Sequence, residues 1–171
     1  CGNMADKRII GGKPMAPVGG INWYGPTFPK KMSKFGIETV ITDFKKAIRV
    51  VDDGGFDAIE VHAGHGYLIS QFLSPYTNKR RDEYGGDFSK RSRFMKEVLT
   101  SIRDTMPQHR ALVVKMNSYD GFKSGITREE GILTAKIIEE CGADAIVVSG
   151  GFVSKAPMYI LRGSMPTDIM A

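Results

Sequence analysis

At 171 residues, 42% hydrophobic and 25% charged, the chain has the balance of an ordinary globular protein and enough apolar material for one core. Its formal charge of +5 is scattered, and the densest basic group, Lys79-Arg80-Arg81, runs straight into Asp82-Glu83, which reads as a locally paired scaffold loop rather than a nucleic-acid surface. Every apolar run falls short of the ~18 residues a membrane helix needs, the first residues lack an apolar leader core, and Cys1 and Cys141 alone build neither a disulfide framework nor a zinc or iron–sulfur site, so a cytoplasmic location is expected.

Residues 1–36, with Pro14, Pro17, Pro26, Pro29 and many glycines, read as a loop-rich lead-in. From Ile37 the apolar positions Val40, Ile41, Phe44, Ile48 and Val51 recur at helical spacing, and Gly54 is placed to end the helix. Residues 57–62 form a short β-compatible run ending in His62. A long Gly- and Pro-broken loop follows, with a helical turn expected near Tyr67 to Phe72.

A second helix is expected from about Ser89, its N-cap, with Phe94, Met95, Val98, Leu99, Ile102 and Met106 on one face and Pro107 beyond its end. Ala111-Leu112-Val113-Val114 then leads into Lys115-Met116-Asn117. Thr127-Arg128-Glu129-Glu130 fits a capping box opening a helix through about Cys141, closed by Gly142. Residues 144–149 form the last run, ending at Gly150-Gly151, and 152–171 would be a further loop.

Helices alternating with short β-rich runs predict parallel strands joined by helical crossovers, an α/β fold. A doubly wound sheet and a barrel both satisfy the pattern. A closed eight-stranded barrel takes ~250 residues and rarely fewer than ~200, so in a barrel this chain supplies only part. A first residue of Cys rather than Met agrees with a truncated or processed piece.

All three runs end in polar groups: His62, Lys115 with Asn117, and Ser149. Ligands collect at the carboxyl ends of strands in such folds. The densest polar cluster is His62-Ala63-Gly64-His65-Gly66-Tyr67, in which two imidazoles could polarise a carbonyl oxygen and a phenol could deliver a proton. A hydrogen-bonded structural role is the bland alternative, and His62-x-x-His65 is also a two-ligand metal pattern without an evident third ligand. Strand alternation puts Glu60 and His62 on one face, and Val113, Lys115 and Asn117 on one face. If the two strands are neighbours, Glu60 could pair with Lys115, and Lys115 would donate to an electron-rich ligand at the strand ends; a lysine snorkelling to solvent is the bland alternative. Arg91 and Arg93 are expected to join the Arg80–Asp82 scaffold, and Gly150-Gly151 is a weak candidate for approaching a phosphate.

The stretch from Gly55 through Glu60, His62, His65, Tyr67 and Leu68, followed by Gln71-Phe72-Leu73-Ser74-Pro75, Asn78-Lys79-Arg80, Asp82-Glu83-Tyr84-Gly85-Gly86 and Arg91-Ser92-Arg93-Phe94, strongly resembles the Old Yellow Enzyme family of FMN oxidoreductases. The resemblance covers roughly Ile37 to Gly151. It implies a partial (β/α)8 TIM barrel, FMN at the carboxyl ends of its strands, NADH or NADPH as reductant, and hydride delivery to an alkene conjugated to a carbonyl. By motif position, His62 and His65 would bind the substrate's activating oxygen and Tyr67 would protonate the α-carbon. Lys115 stands where the family commonly has an arginine at the flavin pyrimidine edge, which keeps the charge but loses the fork of donors. The chain would begin after the first barrel strands and stop before those that hold the FMN phosphate, making residues 1–171 an incomplete barrel domain. As an isolated piece it is expected to self-associate or remain partly disordered. The rival readings are a metal-dependent hydrolase on the same fold and an inactive fragment or binding module without cofactor.

Overall fold

Helix α1 spans Lys34–Asp53, three residues ahead of the Ile37 start read from periodicity, because Ser33 caps it: its hydroxyl accepts from the Gly36 N–H at 3.0 Å. The protein is described by a computed structural model over residues 2–5, 11–22 and 27–160. The lead-in is more ordered than a loop. Strand β1 (Met15–Ala16) pairs in parallel with β2 (Lys30–Lys31), a ladder too short to leave a periodic trace in sequence.

Strands β3 (Ala58–His62), β4 (Ala111–Asn117) and β5 (Ala145–Ser149) form a parallel sheet in the order β3-β4-β5, as the alternation of elements predicts. Helix α3 (Phe88–Thr105) connects the first pair and α4 (Arg128–Glu140) the second. The short helix α2 (Leu68–Leu73) occupies the expected helical turn after β3, with Tyr67 as its N-cap residue.

One cap residue differs from the sequence reading, and one capping box is only half built. Asp87, not Ser89, caps α3, its carboxylate accepting from the Lys90 N–H at 3.0 Å. Thr127 caps α4 as expected, accepting from the Glu130 N–H at 3.3 Å. The reciprocal half of the box is not built, because the Glu130 carboxylate pairs with Arg91 instead. Cys141 is the C-cap residue, and Gly142 follows at φ 79° as the left-handed stop.

Register separates the two faces of the sheet. Ile59 lies beside Leu112, and Val61 beside Val114, which lies beside Ile146; this face meets the helices. Leu112 and Val114 are fully buried there with Phe94, Val98, Leu99 and Ile102 of α3 and Ile138 of α4. Each such side chain contributes about 1.5–3 kcal/mol by leaving water, which makes this layer the core. The opposite face carries Glu60, His62, Lys115, Asn117 and Ser149, and it is there that the polar strand ends converge.

After β5 the chain closes a Phe152–Ala156 bridge and a 3-10 turn at Pro157–Tyr159, while 161–171 lie outside the described residues. Among the described residues no helix is long and apolar enough to cross a membrane.

Candidate active site

Parallel pairing puts His62, the last residue of β3, directly beside Lys115 of β4. One alternation back, the Glu60 carboxylate lies 3.5 Å from the Lys115 ammonium, so the pair anticipated from alternation forms. Both side chains remain partly open, at 43% and 31% exposure, and the pair orients the lysine without stranding a charge in the core.

The loop from Ala63 to Tyr67 turns sharply because its backbone is held from several sides. His65 sits at φ 59°, in the left-handed region that a non-glycine residue occupies only when its surroundings impose it. Its N–H donates to Asn117 Oδ1 at 3.0 Å, and its carbonyl accepts from the Val153 N–H at 3.1 Å. Gly66 donates its N–H to Ser70 Oγ at 3.1 Å and accepts from the Gln71 amide at 2.6 Å. A Cβ at Gly64 would fall 2.7 Å from Asn117 Oδ1, so only glycine lets Asn117 reach the loop.

This clamp brings the three candidate side chains together. The His62 and His65 ring centres are 4.9 Å apart at 66°, and the Tyr67 ring lies 5.1 Å from His62. His65 Nε2 is 2.7 Å from the Ser149 hydroxyl, while His62 Nδ1 is buried without a hydrogen-bond partner. Burial, then the neighbouring Lys115 cation, lowers the His62 pKa below its usual value. Burial, followed by His62 and Lys115, pushes His65 down to about 4. Both rings are therefore neutral at pH 7, each with one N–H to donate. They face a cleft of about 740 Å³ that also takes in Glu60, Tyr67 and Lys115, with Phe44 of α1 along its wall.

Behind the cleft stands a layer that sequence reading missed. Asp120 is fully buried and accepts from Ser74 Oγ at 2.6 Å, Asn117 Nδ2 at 2.9 Å and the Ile126 N–H at 2.9 Å. Burial raises its pKa, opposed by those donors. Asn117 and Ser149 were legible as polar strand ends, but Asp120 carries no signal beyond a Tyr-Asp-Gly turn.

The basic loop is the scaffold it was read to be, with Arg80 paired to Asp82, but Arg91 pairs with Glu130 of α4 instead of joining Asp82. Arg93 lies over the Tyr84 ring at 5.1 Å and pairs with Glu97. Gly151 turns its N–H inward to the Tyr119 carbonyl at 3.1 Å, away from the phosphate role considered for it. No group of three or more His, Cys, Asp or Glu side chains is arranged to hold a metal among the described residues.

The profile of the NADH:flavin oxidoreductase / NADH oxidase family matches residues 13–163. An NADPH dehydrogenase of Clostridium acetobutylicum is 39% identical over 153 residues, covering 89% of this chain and 45% of that protein. The solved structure of a 2-naphthoyl-CoA reductase with 2-naphthoyl-CoA superposes with a TM-score of 0.83 at 31% identity, over 88% of this chain and 25% of that one. An Old Yellow Enzyme homologue from Zymomonas mobilis superposes with a TM-score of 0.78 at 27% identity, over 89% of this chain and 46% of that one. The chain spans less than half the length of each of these proteins. Strands β3 to β5 with their helices are thus a segment of an α/β barrel. The chain belongs to the NADH:flavin oxidoreductase / NADH oxidase family, the Old Yellow Enzyme family that its motifs resemble.

Proposed function

We propose that the whole protein is a cytoplasmic FMN-dependent oxidoreductase that uses NADH or NADPH to reduce a small molecule bearing an alkene conjugated to a carbonyl, and that residues 1–171 carry the substrate-activating part of an incomplete barrel domain. The observation that supports this most is the clamped trio at the end of β3: two neutral imidazoles with ring centres 4.9 Å apart and a phenol ring 5.1 Å from the first.

Reducing a conjugated alkene requires a hydride at the β-carbon, stabilisation of the charge that moves onto oxygen, and a proton at the α-carbon. Bound FMN, once reduced, supplies the hydride. The remaining tasks fall to this chain. His62 and His65 present N–H donors to the substrate oxygen, and a fixed donor of this kind is worth about 3 kcal/mol in the transition state. Tyr67, held against His62, carries the proton for the α-carbon.

The residues present fit a flavin. Lys115 is a half-buried cation at the carboxyl end of a strand, oriented by Glu60, and can donate to an electron-rich ring edge. His62 and His65 line the same cleft as Lys115, so donors for a substrate oxygen and for a ring edge open onto one space. Spectra taken after incubation with FMN and gel filtration test the reading, on this chain and on the product of the full reading frame that contains it. Retained flavin and NADPH-driven reduction of 2-cyclohexenone by the longer product are expected, and flavin lost from both overturns the proposal.

The sheet face and the strand edges at β3 and β5 leave backbone and apolar groups such as Val148, 52% exposed, without cover among the described residues. The chain by itself is therefore expected to self-associate. Sedimentation velocity checks this, and a compact monomer at all concentrations would count against it.

A further inference from the structure

We infer that Ser149 is a positioning residue: its hydroxyl donates to Nε2 of His65 and thereby selects the tautomer that presents Nδ1–H to the cleft. This rests on the proposed reading of His65 as a donor to the substrate oxygen. Which nitrogen of an imidazole carries the proton is set by the hydrogen bond made by the other, so the 2.7 Å contact between Ser149 Oγ and His65 Nε2 decides what the ring offers on its far side.

Two arrangements satisfy that distance. In one, Nε2–H donates to Ser149 Oγ. The serine proton is then left pointing into a site where the residue is 4% exposed, and His65 Nε2 is the side chain's only partner among the described residues. In the other, the serine O–H donates to the bare Nε2, and only acceptor capacity of the hydroxyl goes unused. Buried donors without an acceptor are the rarer and costlier defect, so the second arrangement holds.

The geometry of the loop reinforces this. Ser149 is in register with Asn117, and Asn117 receives the His65 N–H. The ends of β4 and β5 therefore hold the same residue by backbone and by ring, and turning Nε2 away would give up the Ser149 contact. His65 lines the cleft, and its Nδ1 has no partner among the described residues yet is not among the sealed, unpartnered atoms, so it is the nitrogen left open. His62 is arranged the opposite way: its Nδ1 is the sealed atom, so the bare nitrogen belongs there and its proton on Nε2. The two rings thus offer different nitrogens to one cleft, and Ser149 governs only the second.

The test is long-range ¹H–¹⁵N NMR of the labelled product of the full reading frame, stripped of flavin, with the His62 and His65 signals assigned by substitution. The expected result is a proton on Nδ1 of His65 in the native chain, a fall of about tenfold in the ratio of Nδ1–H to Nε2–H in Ser149→Ala, recovery in Ser149→Thr, and no change at His62. A native His65 protonated on Nε2 overturns the proposal, as does an unchanged ratio in Ser149→Ala. The native spectrum alone decides the matter if the alanine variant fails to fold. Because the tautomer is read without substrate, flavin or turnover, its failure is distinguishable from failure of the oxidoreductase reading.

Discussion

Replacing Arg80 with alanine is expected to cost about 4 kcal/mol and to release the lead-in from the body of the protein. The side chain is 1% exposed, and it is held at both ends of a long sequence separation. One guanidinium nitrogen donates to the Pro17 carbonyl at 2.8 Å and the Met32 carbonyl at 2.7 Å. The other two nitrogens bind the two oxygens of Asp82 at 2.9 and 2.7 Å. Alanine strands the two carbonyls, at about 1–3 kcal/mol each, while Asp82, 28% exposed, rehydrates at little cost. Packing of the guanidinium over Phe72 and Tyr84, 5.9 Å from each ring centre, is lost as well. Arg80→Lys keeps the charge without the fork and should cost about 2 kcal/mol. The Arg80 hydrogen bond is the largest influence holding the Asp82 carboxyl below its usual range. That part of the stability is therefore present above about pH 4 and lost as pH falls through the folded pKa. Urea unfolding gives the magnitude, and amide exchange at Lys30 and Met32, whose N–H groups bond to Pro14 and Ala16, gives the location. A loss below about 1 kcal/mol, or unchanged exchange at those two amides, would refute the argument.

Gly131→Ala in α4 should destabilise by about 3 kcal/mol, against the gain of about 1 kcal/mol usual for this change in a helix, because the added Cβ would meet the Ser118 carbonyl oxygen; thermal unfolding checks the sign. His65, pushed down to about 4, stays unprotonated in the folded protein between that value and the unfolded 6.5, so stability should fall as pH drops across this window and level off below it. Urea unfolding at pH 5 and pH 7.5 should show that dependence weakened in His65→Gln. In the product of the full reading frame, Lys115→Met should weaken FMN retention at least about tenfold while Lys115→Arg preserves it, and equal flavin affinity in the methionine variant would remove Lys115 from the cofactor site.

The core was legible because periodicity and burial are the same information: the residues that recur at helical spacing in α1 and α3 are, Val51 apart, those buried in or packed against the core. The Glu60–Lys115 pair was legible for a similar reason, since alternation fixes faces and a parallel crossover makes the two strands neighbours. Errors arose where a distant partner overrode a local preference. Asp87 and Ser89 are both good caps, and the choice went to Asp87, where Arg91 reaches back to the Gly86 carbonyl at 3.0 Å and fixes the first turn. Glu130 has the right spacing for a capping box, yet its carboxylate is drawn away by an arginine 39 positions earlier. The β1–β2 ladder had no local signature at all, because its position depends on a guanidinium supplied from beyond β3.

The same distinction explains the candidate site. The groups aimed at a ligand, His62, His65 and Tyr67, lie within six consecutive residues, so their chemistry could be read directly from sequence. The groups that hold them lie elsewhere: Asn117 and Ser149 on neighbouring strands, Val153 beyond β5, and Asp120 fixing Asn117 from behind. None of these bears a side chain that announces catalysis. Their effect is to keep a non-glycine residue at φ 59° and two neutral rings edge to face, a geometry the loop would not adopt alone. Donors fixed in this way need no reorganisation when charge develops on a bound oxygen, and that advantage comes from the strands behind the loop, not from the motif itself.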